Sequence, residues 1–418
     1  MTRHWTYLVL VPLALGAPRE LSAQQPSRSD SLEVVLRRLM ARVDSLERVI
    51  RQLQHRGRDT TAAVDELAAL RAAAQAAGGT PDSTPPAATA RSEGARSLSS
   101  LNPEISVTGD ARLQSNLDLP FEENFAIREF EFSFQSALDP YASTKVFLTY
   151  EEGRLDLEEG YLYWPDLPGH IRLDLGRLRQ QVGELNRWHL HALPETEYPL
   201  AYQEYFGEEG LIGDGARLSM LLPIGGLVGV QEVTLEGTVG ANTVLFDDGN
   251  RPAVLAHLNN FLALSPATFI QVGGTAVYGE NPDLGLRTTV FGGDFRFTWR
   301  PPSQALYRSF TVRGEALHVR KQFDGIGAGS TGGYVGTEYQ LDRRWFAGVR
   351  GDYVEPVGGG TAVWAIVPHL TWWQSEWAYI RAQWQHRELP VIGGGRTGDN
   401  QLQVQVVWSV GPHKHETY

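Results

Sequence analysis

From Ile105 to the end of the chain, aromatic and aliphatic residues alternate with polar ones at a period of two. In "FEFSFQSAL", Phe130, Phe132 and Phe134 oppose Glu129, Glu131, Ser133 and Gln135. Phe295, Phe297 and Trp299 oppose Asp294, Arg296, Thr298 and Arg300, and in "QLQVQVVW" Leu402, Val404 and Val406 oppose Gln401, Gln403 and Gln405. Successive side chains of a strand point to opposite faces, so each stretch predicts a strand with one apolar and one polar side. A soluble sandwich alternates too, but its polar side is seldom so full of Arg, Glu and Gln on strand after strand. The pattern suits a barrel that turns its apolar side to lipid and its polar side to a wet lumen.

Breaks in the alternation place strands near 105–116, 125–138, 141–151, 155–164, 169–178, 210–222, 231–246, 253–265, 267–278, 286–300, 307–321, 331–341, 344–355, 361–373, 376–388 and 399–410. Their number, sixteen, is even, as closed bacterial barrels require. Connections after even-numbered strands are mostly tight, such as "LDPYA", "PDLPG" and "QSE". Those after odd-numbered strands are often longer and rich in glycine, as in "DGIGAGST" and "PVIGGGRTG", although "EGR" is short. Short periplasmic turns alternating with longer external loops put both ends of the barrel in the periplasm.

Ahead of the barrel the period changes to 3.5. Leu32, Leu36, Leu39, Val43, Leu46, Ile50 and Leu53 follow one another at spacings of four and three, with charged residues between. This is a narrow a/d seam of about three heptads, the mark of a self-associating coiled coil rather than a helix lying on a larger body. A second helical piece, "AAVDELAALRAAAQAA", extends it, so residues 29–77 are expected to form a periplasmic coiled coil. Residues 78–104 are Gly, Pro, Ser, Thr and Ala with little apolar content, a flexible linker. Residues 1–23 read as a secretory signal peptide: a basic start, the apolar "TYLVLVPLALGA", and a small-residue cleavage site after Ala23.

The expected fold is therefore all-β, a 16-stranded antiparallel transmembrane β-barrel over 105–418 with an N-terminal periplasmic α-helical coiled coil. Composition agrees. The chain has no cysteine but has Trp 11, Tyr 15, Phe 16 and Gly 44, and its net charge is -12. No stretch after residue 25 approaches the length of a membrane-spanning helix, about 20 apolar residues. The acidic balance argues against nucleic acid as a partner.

Sixteen strands enclose a lumen too wide for wall side chains to fill. Residues 179–209, the longest strandless segment, form the third external loop and are expected to fold inward as a constriction. Arg177, Arg179, Glu184, Arg187, Glu195 and Glu197 are the candidate constriction residues. On the inward phase of the wall lie Arg112, Arg172, Arg217, Arg296, Arg313, Arg350 and Arg381, interleaved with Asp110, Glu129, Glu131, Asp174, Glu315 and Asp352. Charges of both signs across a constriction would set up a transverse field that screens solutes by size and dipole.

The stretch "HIRLDLGRLRQQVGELN", followed by "YFGEEGLIGDGARLSMLLP", resembles the phosphate-selective porin family of outer-membrane proteins. In that family a strand ending like "GRLR" leads into the constriction, and a "GEEG…GxG" return begins the next strand. The resemblance covers residues 105–222 best. It implies a sixteen-stranded, homotrimeric, passive channel in the bacterial outer membrane, surrounded by lipid and passing small solutes or ions. Phosphate-selecting members line their pore with an arginine ladder and a lysine cluster. Here the lysines are Lys145, Lys321 and Lys414, none in the third loop, so phosphate selectivity is not carried over.

Two other readings stay open. The coiled coil would let the protein tether the envelope, reaching toward peptidoglycan, with the channel incidental. His189 and His191 would share a face of an extended segment, a workable metal-ligand spacing that His413 and His415 repeat, and the channel would then be metal-responsive. Two ligands alone do not make a site, so no metal and no cofactor is expected. No "GxSxG" elbow is present, and no enzyme is expected. The segment ahead of the barrel leaves no room for the globular plug of a larger outer-membrane transporter.

Overall fold

An apolar and a polar face on every strand can both be satisfied if the sheet closes on itself, and it does. The computed structural model describes residues 103–411 apart from 119–122, 152, 223–228, 241, 243, 247–250, 284, 324–325 and 392. The expected signal peptide and coiled coil, nearly all of the linker, and His413 and His415 lie outside the described residues. The first eight strands are β1 (Glu104–Asn116), β2 (Glu123–Ala137), β3 (Ser143–Glu151), β4 (Arg154–Leu167), β5 (Ile171–Arg179), β6 (Ile212–Leu222), β7 (Val230–Gly240) and β8 (Pro252–Ser265). The second eight are β9 (Thr268–Glu280), β10 (Arg287–Trp299), β11 (Phe310–Phe323), β12 (Ile326–Gln340), β13 (Trp345–Val354), β14 (Val363–Trp373), β15 (Ala378–Pro390) and β16 (Arg396–Val410). Each pairs antiparallel with its sequence neighbours, and β1 pairs with β16 from Val107↔Val410 to Asn116↔Gln401, closing a sixteen-stranded barrel. Closure leaves no strand edge to be solvated in lipid.

The predicted faces are kept. Leu235, Val254, Val272, Phe291, Val335, Ile380 and Leu402 are exposed on the outside, while Asp294, Arg313, Arg381, Gln403 and Gln405 are buried within. Trp345, Tyr339, Tyr307 and Trp377 are exposed near one rim, and Phe125, Tyr278, Tyr353 and Trp364 near the other, the two aromatic girdles of a lipid-facing barrel.

The largest differences from the expected strand bounds are at the end of β7 and the start of β12. β7 stops at Gly240 rather than 246, because Leu245 and Phe246 leave the wall and are buried inside the barrel. β12 begins at Ile326, so much of the glycine-rich "DGIGAGST", expected as a loop, is strand paired with β11, Gly327 opposite Gln322 and Gly329 opposite Arg320.

Two β-bulges break the period of two on the inside. In β1/β2, Asp110 faces Glu129 but Ala111 faces Ile127, which makes Arg128 the extra residue. In β3/β4, Phe147 faces Glu159 but Leu148 faces Leu157, which makes Glu158 extra. A bulge re-aims the side chain it inserts. Arg128 and Glu129, and likewise Glu158 and Glu159, are consecutive residues buried on the same side of the wall.

Residues 180–211, between β5 and β6, enter the lumen. They carry two 3-10 turns (Leu185–Arg187 and Leu190–Ala192) and one short helix, α1 (Leu200–Phe206). Apolar residues of this lumen loop, among them Leu193, Tyr198, Tyr202, Tyr205 and Phe206, form one buried cluster with inward-facing Leu255, Val277, Val290, Leu317, Val319, Val354 and Val367 of the wall. The lumen is thus not uniformly polar: β8 to β14 present an apolar bed on which α1 lies. Gly332 of β12 makes room for it, since a Cβ there would meet the Ala201 methyl at 2.9 Å and the Tyr205 hydroxyl at 3.1 Å.

Candidate pore constriction

The base of the lumen loop is tied like a sheet extension. Gln180 N donates to Leu211 O at 3.0 Å, and the Asn186 side chain donates to both Gln180 O and Leu211 O at 2.8 Å while accepting from Leu211 N at 2.7 Å. Arg179 lies fully buried beneath it, donating to Tyr198 Oη at 3.0 Å, to Glu209 O at 2.7 Å and to Glu158. It staples the two ends of the loop together, facing no open space. Arg177 pairs with Asp214 at 3.1 Å at the rim side of β5, and Arg187 donates to Gln181 Oε1 at 2.8 Å within the loop.

The three candidate carboxylates of the loop each meet a wall arginine. Glu184 accepts from Arg296 at 2.6 Å, Glu195 from Arg350 at 2.9 Å, and Glu197 from Arg112. Arg350 also pairs with Asp352 at 2.8 Å and donates to Glu197 O at 2.9 Å. Thr196 N donates to Gln383 Oε1 at 3.0 Å, Arg128 donates to Thr196 O at 2.6 Å, and Tyr379 Oη donates to His191 O at 2.6 Å. On the far side, Glu315 of β11 accepts from the backbone N–H groups of Glu184 and Leu185 at 3.1 and 3.0 Å. With Thr196 Oγ1 donating to Gln403 of β16 and His189 Nε2 3.3 Å from Glu159 Oε2 of β4, the loop is bonded to β1, β2, β4, β10, β11, β13, β15 and β16.

The other wall arginines serve the same frame. Arg217 pairs with Glu236 at 2.6 Å and Asp174 at 3.3 Å, and Arg172 with Asp174 at 2.7 Å while lying over the Tyr163 ring. Arg313 sits 5.5 Å above the Trp188 ring of the loop, and Arg381 lies over Tyr379 and donates to Gln405 at 3.0 Å. Instead of two opposed banks of free charge, the constriction is a ring of local ion pairs.

His189 and His191 are buried, not loop-surface residues. His189 Nδ1 is 2.6 Å from Glu131 Oε2 and 3.2 Å from Glu158 Oε2, and its Nε2 is 3.3 Å from Glu159 Oε2. His191 Nδ1 is 2.9 Å from Glu129 Oε1. Burial works against charge on either ring, but Glu158 and Glu131 outweigh it and hold His189 well above the usual histidine range. Glu131 and Glu129 raise His191 in the same way. Sequence reasoning singled out the histidines but not Glu158, Glu159 or Arg128. Two of these three are bulge residues, which simple alternation would have turned toward lipid.

A cavity lies on each side of the loop. One, of about 610 Å³, opens toward the short turns, and arginines predominate in its lining: Arg300, Arg313, Arg343, Arg344 and Arg381 against Glu338 and Glu376. The other, of about 410 Å³, opens toward the opposite rim, and carboxylates predominate: Glu129, Glu151, Asp156, Glu158, Glu209 and Asp214 against Arg154 and Arg177.

The sequence matches no protein-family model and no curated protein. Among solved structures the fold is similar to the anion-selective porin of Comamonas acidovorans, with a TM-score of 0.53 at 8% identity, covering 74% of this chain and 100% of that one. It is also similar to the outer membrane channel DcaP of Acinetobacter baumannii (TM-score 0.51, 10% identity, 74% of this chain and 96% of that one). OprB of Pseudomonas putida gives 0.51 at 10% identity, covering 75% of this chain and 95% of that one. At such identities the likeness is one of fold, and the fold is a porin-type β-barrel. Closed, apolar outside and polar within, such a barrel is built for the bacterial outer membrane.

Proposed function

We propose that the protein is an outer-membrane porin, a passive diffusion channel for small hydrophilic solutes or ions narrowed by the loop between β5 and β6. One observation carries this reading: the longest loop of a closed sixteen-stranded barrel lies inside the lumen, held by ion pairs to opposing walls. A solute entering from the external rim would meet the carboxylate-lined cavity, squeeze past the paired charges at the loop, and leave through the arginine-lined cavity above the periplasmic turns. Work is done by shape and field alone, with no chemical step. Because each loop carboxylate is matched by a wall arginine, weak selectivity is the expectation. The "GRLR" and "GEEG" stretches at the two ends of the loop support a kinship with phosphate-selective porins, without their phosphate preference. A homotrimer, with the coiled coil in the periplasm reaching toward peptidoglycan, completes the reading on sequence grounds.

Planar-bilayer recording of the refolded full chain across a salt gradient tests it. Discrete conductance steps are expected, grouped in threes if the protein is a trimer, and a small reversal potential. Silence from a correctly folded barrel would mean that the lumen loop seals it, and the porin reading would fall.

A further inference from the structure

His189 has a carboxylate at each ring nitrogen. A neutral imidazole carries one N–H, so its other nitrogen calls for a hydrogen-bond donor or a cation rather than a second acceptor. A proton on both nitrogens meets that need; so does a metal ion on one of them. We infer that Glu131, Glu158 and His189 form a binding site for a divalent transition-metal cation of the zinc class, set into the wall at the root of the lumen loop.

The donor set is the first argument. His189 Nδ1, an oxygen of Glu131 and an oxygen of Glu158 lie within 4.8 Å of one another, all buried, from three separate elements: β2, β4 and the loop. A nitrogen with two carboxylates suits zinc or copper, whereas calcium and magnesium take oxygen alone. Ligands on a zinc-class ion stand about 3.3 Å apart, so His189 Nδ1 and the Glu131 oxygen, now 2.6 Å apart, would part by about 0.7 Å and the more distant donors would draw in as the metal replaces the proton.

The surroundings are those of a metal ligand set. Glu159 lies 3.3 Å from His189 Nε2 and would accept its N–H once Nδ1 holds metal, the carboxylate–histidine–metal arrangement that orients ligating imidazoles. The Thr149 hydroxyl donates to Glu158 Oε2 at 2.7 Å, and Arg179 binds the opposite oxygen, Oε1, leaving Oε2 directed at His189. Glu158 is present at all only because the β3/β4 bulge inserts it on the inner face.

Charge and access agree. Around His189 and His191 stand the carboxylates of Glu129, Glu131, Glu158 and Glu159, with Arg179 the guanidinium in direct contact. Glu129 and Glu158 also line the cavity that opens to the loop-end rim, so an aqueous ion has a path to the site.

The inference does not depend on the channel reading, and its readout is stoichiometry rather than current. Zinc is titrated into the refolded, untagged full chain, and into a His413→Asn/His415→Asn variant that removes the C-terminal histidine pair. One tightly held zinc per chain is expected in both. Glu131→Gln or His189→Asn should lose it or weaken it by about tenfold or more, with folding verified by the heat-dependent gel migration of the barrel. Copper added to the unaltered chain should give an electron-paramagnetic spectrum with coupling to a single imidazole nitrogen, a readout that holds even if the variants misfold. No bound zinc, zinc that leaves with the C-terminal pair, zinc retained by the Glu131→Gln/His189→Asn double variant, or an all-oxygen copper spectrum would each overturn the site.

Discussion

Gly183 shows how one residue fixes the entry of the lumen loop. Its φ of +56° is left-handed, and a Cβ there would come within 1.9 Å of a Glu315 carboxylate oxygen. That carboxylate is where the N–H groups of Glu184 and Leu185 are satisfied, so it cannot move aside without orphaning them. Gly183→Ala is expected to cost on the order of 1–3 kcal/mol and to loosen the loop, seen as larger and noisier conductance steps with the barrel intact. Glu195 anchors the far end. Burial pushes its carboxyl up, but Arg350, His369, Arg313 and Arg381 outweigh burial and hold it below the usual glutamate range. A depressed carboxylate lends its stability in full above its unfolded value, near 4.5, and loses it as pH falls through the lower folded value. The hold that Glu195 itself contributes should thus stay level from neutral pH to about 5 and weaken below that. Open-channel current noise measured down the pH scale reads this, and Glu195→Gln should raise the noise at neutral pH and flatten its acid dependence.

At the scale of the element, α1 is too short to persist alone in water. It exists because its apolar face meets an apolar bed on β8 to β14, and because Gly332 leaves room for Ala201 and Tyr205. Gly332→Leu should lift α1 from the wall without disturbing the barrel, whose β12 glycine faces the lumen there. Protease cleavage within 180–211 should become fast while the barrel core stays resistant; unchanged protection would contradict this account of the helix. The strands were legible in the sequence because period-two polarity is a local signal: β9, β10 and β13 fall within a few residues of their expected bounds. The bulges were not legible. Arg128 and Glu158 occur in runs of charged residues where an added position leaves the pattern readable either way, and only the pairing partners Ile127 and Leu157 reveal the shift.

For the whole molecule, the largest of the cavities described lies on the turn side of the lumen loop and is rich in arginine, while the next, toward the opposite rim, is rich in carboxylates. Arg343 and Arg344, exposed in the turn between β12 and β13, belong to the basic side and take no part in holding the loop. Replacing both with Gln should move the reversal potential toward cation preference with the step size unchanged. Deleting residues 26–100 should leave the single-channel step unchanged. If envelope integrity fails at the same time, tethering is that segment's task.

What the sequence determined by itself is whatever depends on near neighbours along the chain. Alternating polarity dictates two-faced strands, two-faced strands in this number dictate a closed barrel, and a long interruption between two of them dictates a loop with somewhere to go. Only the closed barrel decided which charges meet. Arg350 finds Glu195 and Arg296 finds Glu184 across long stretches of chain, and Arg179, expected to face the pore, became the staple of the loop's two ends. His189 drew Glu131 and Glu158 around it from two different strands. Such meetings follow from register, bulge and closure, none of which is written in the spacing of neighbouring residues.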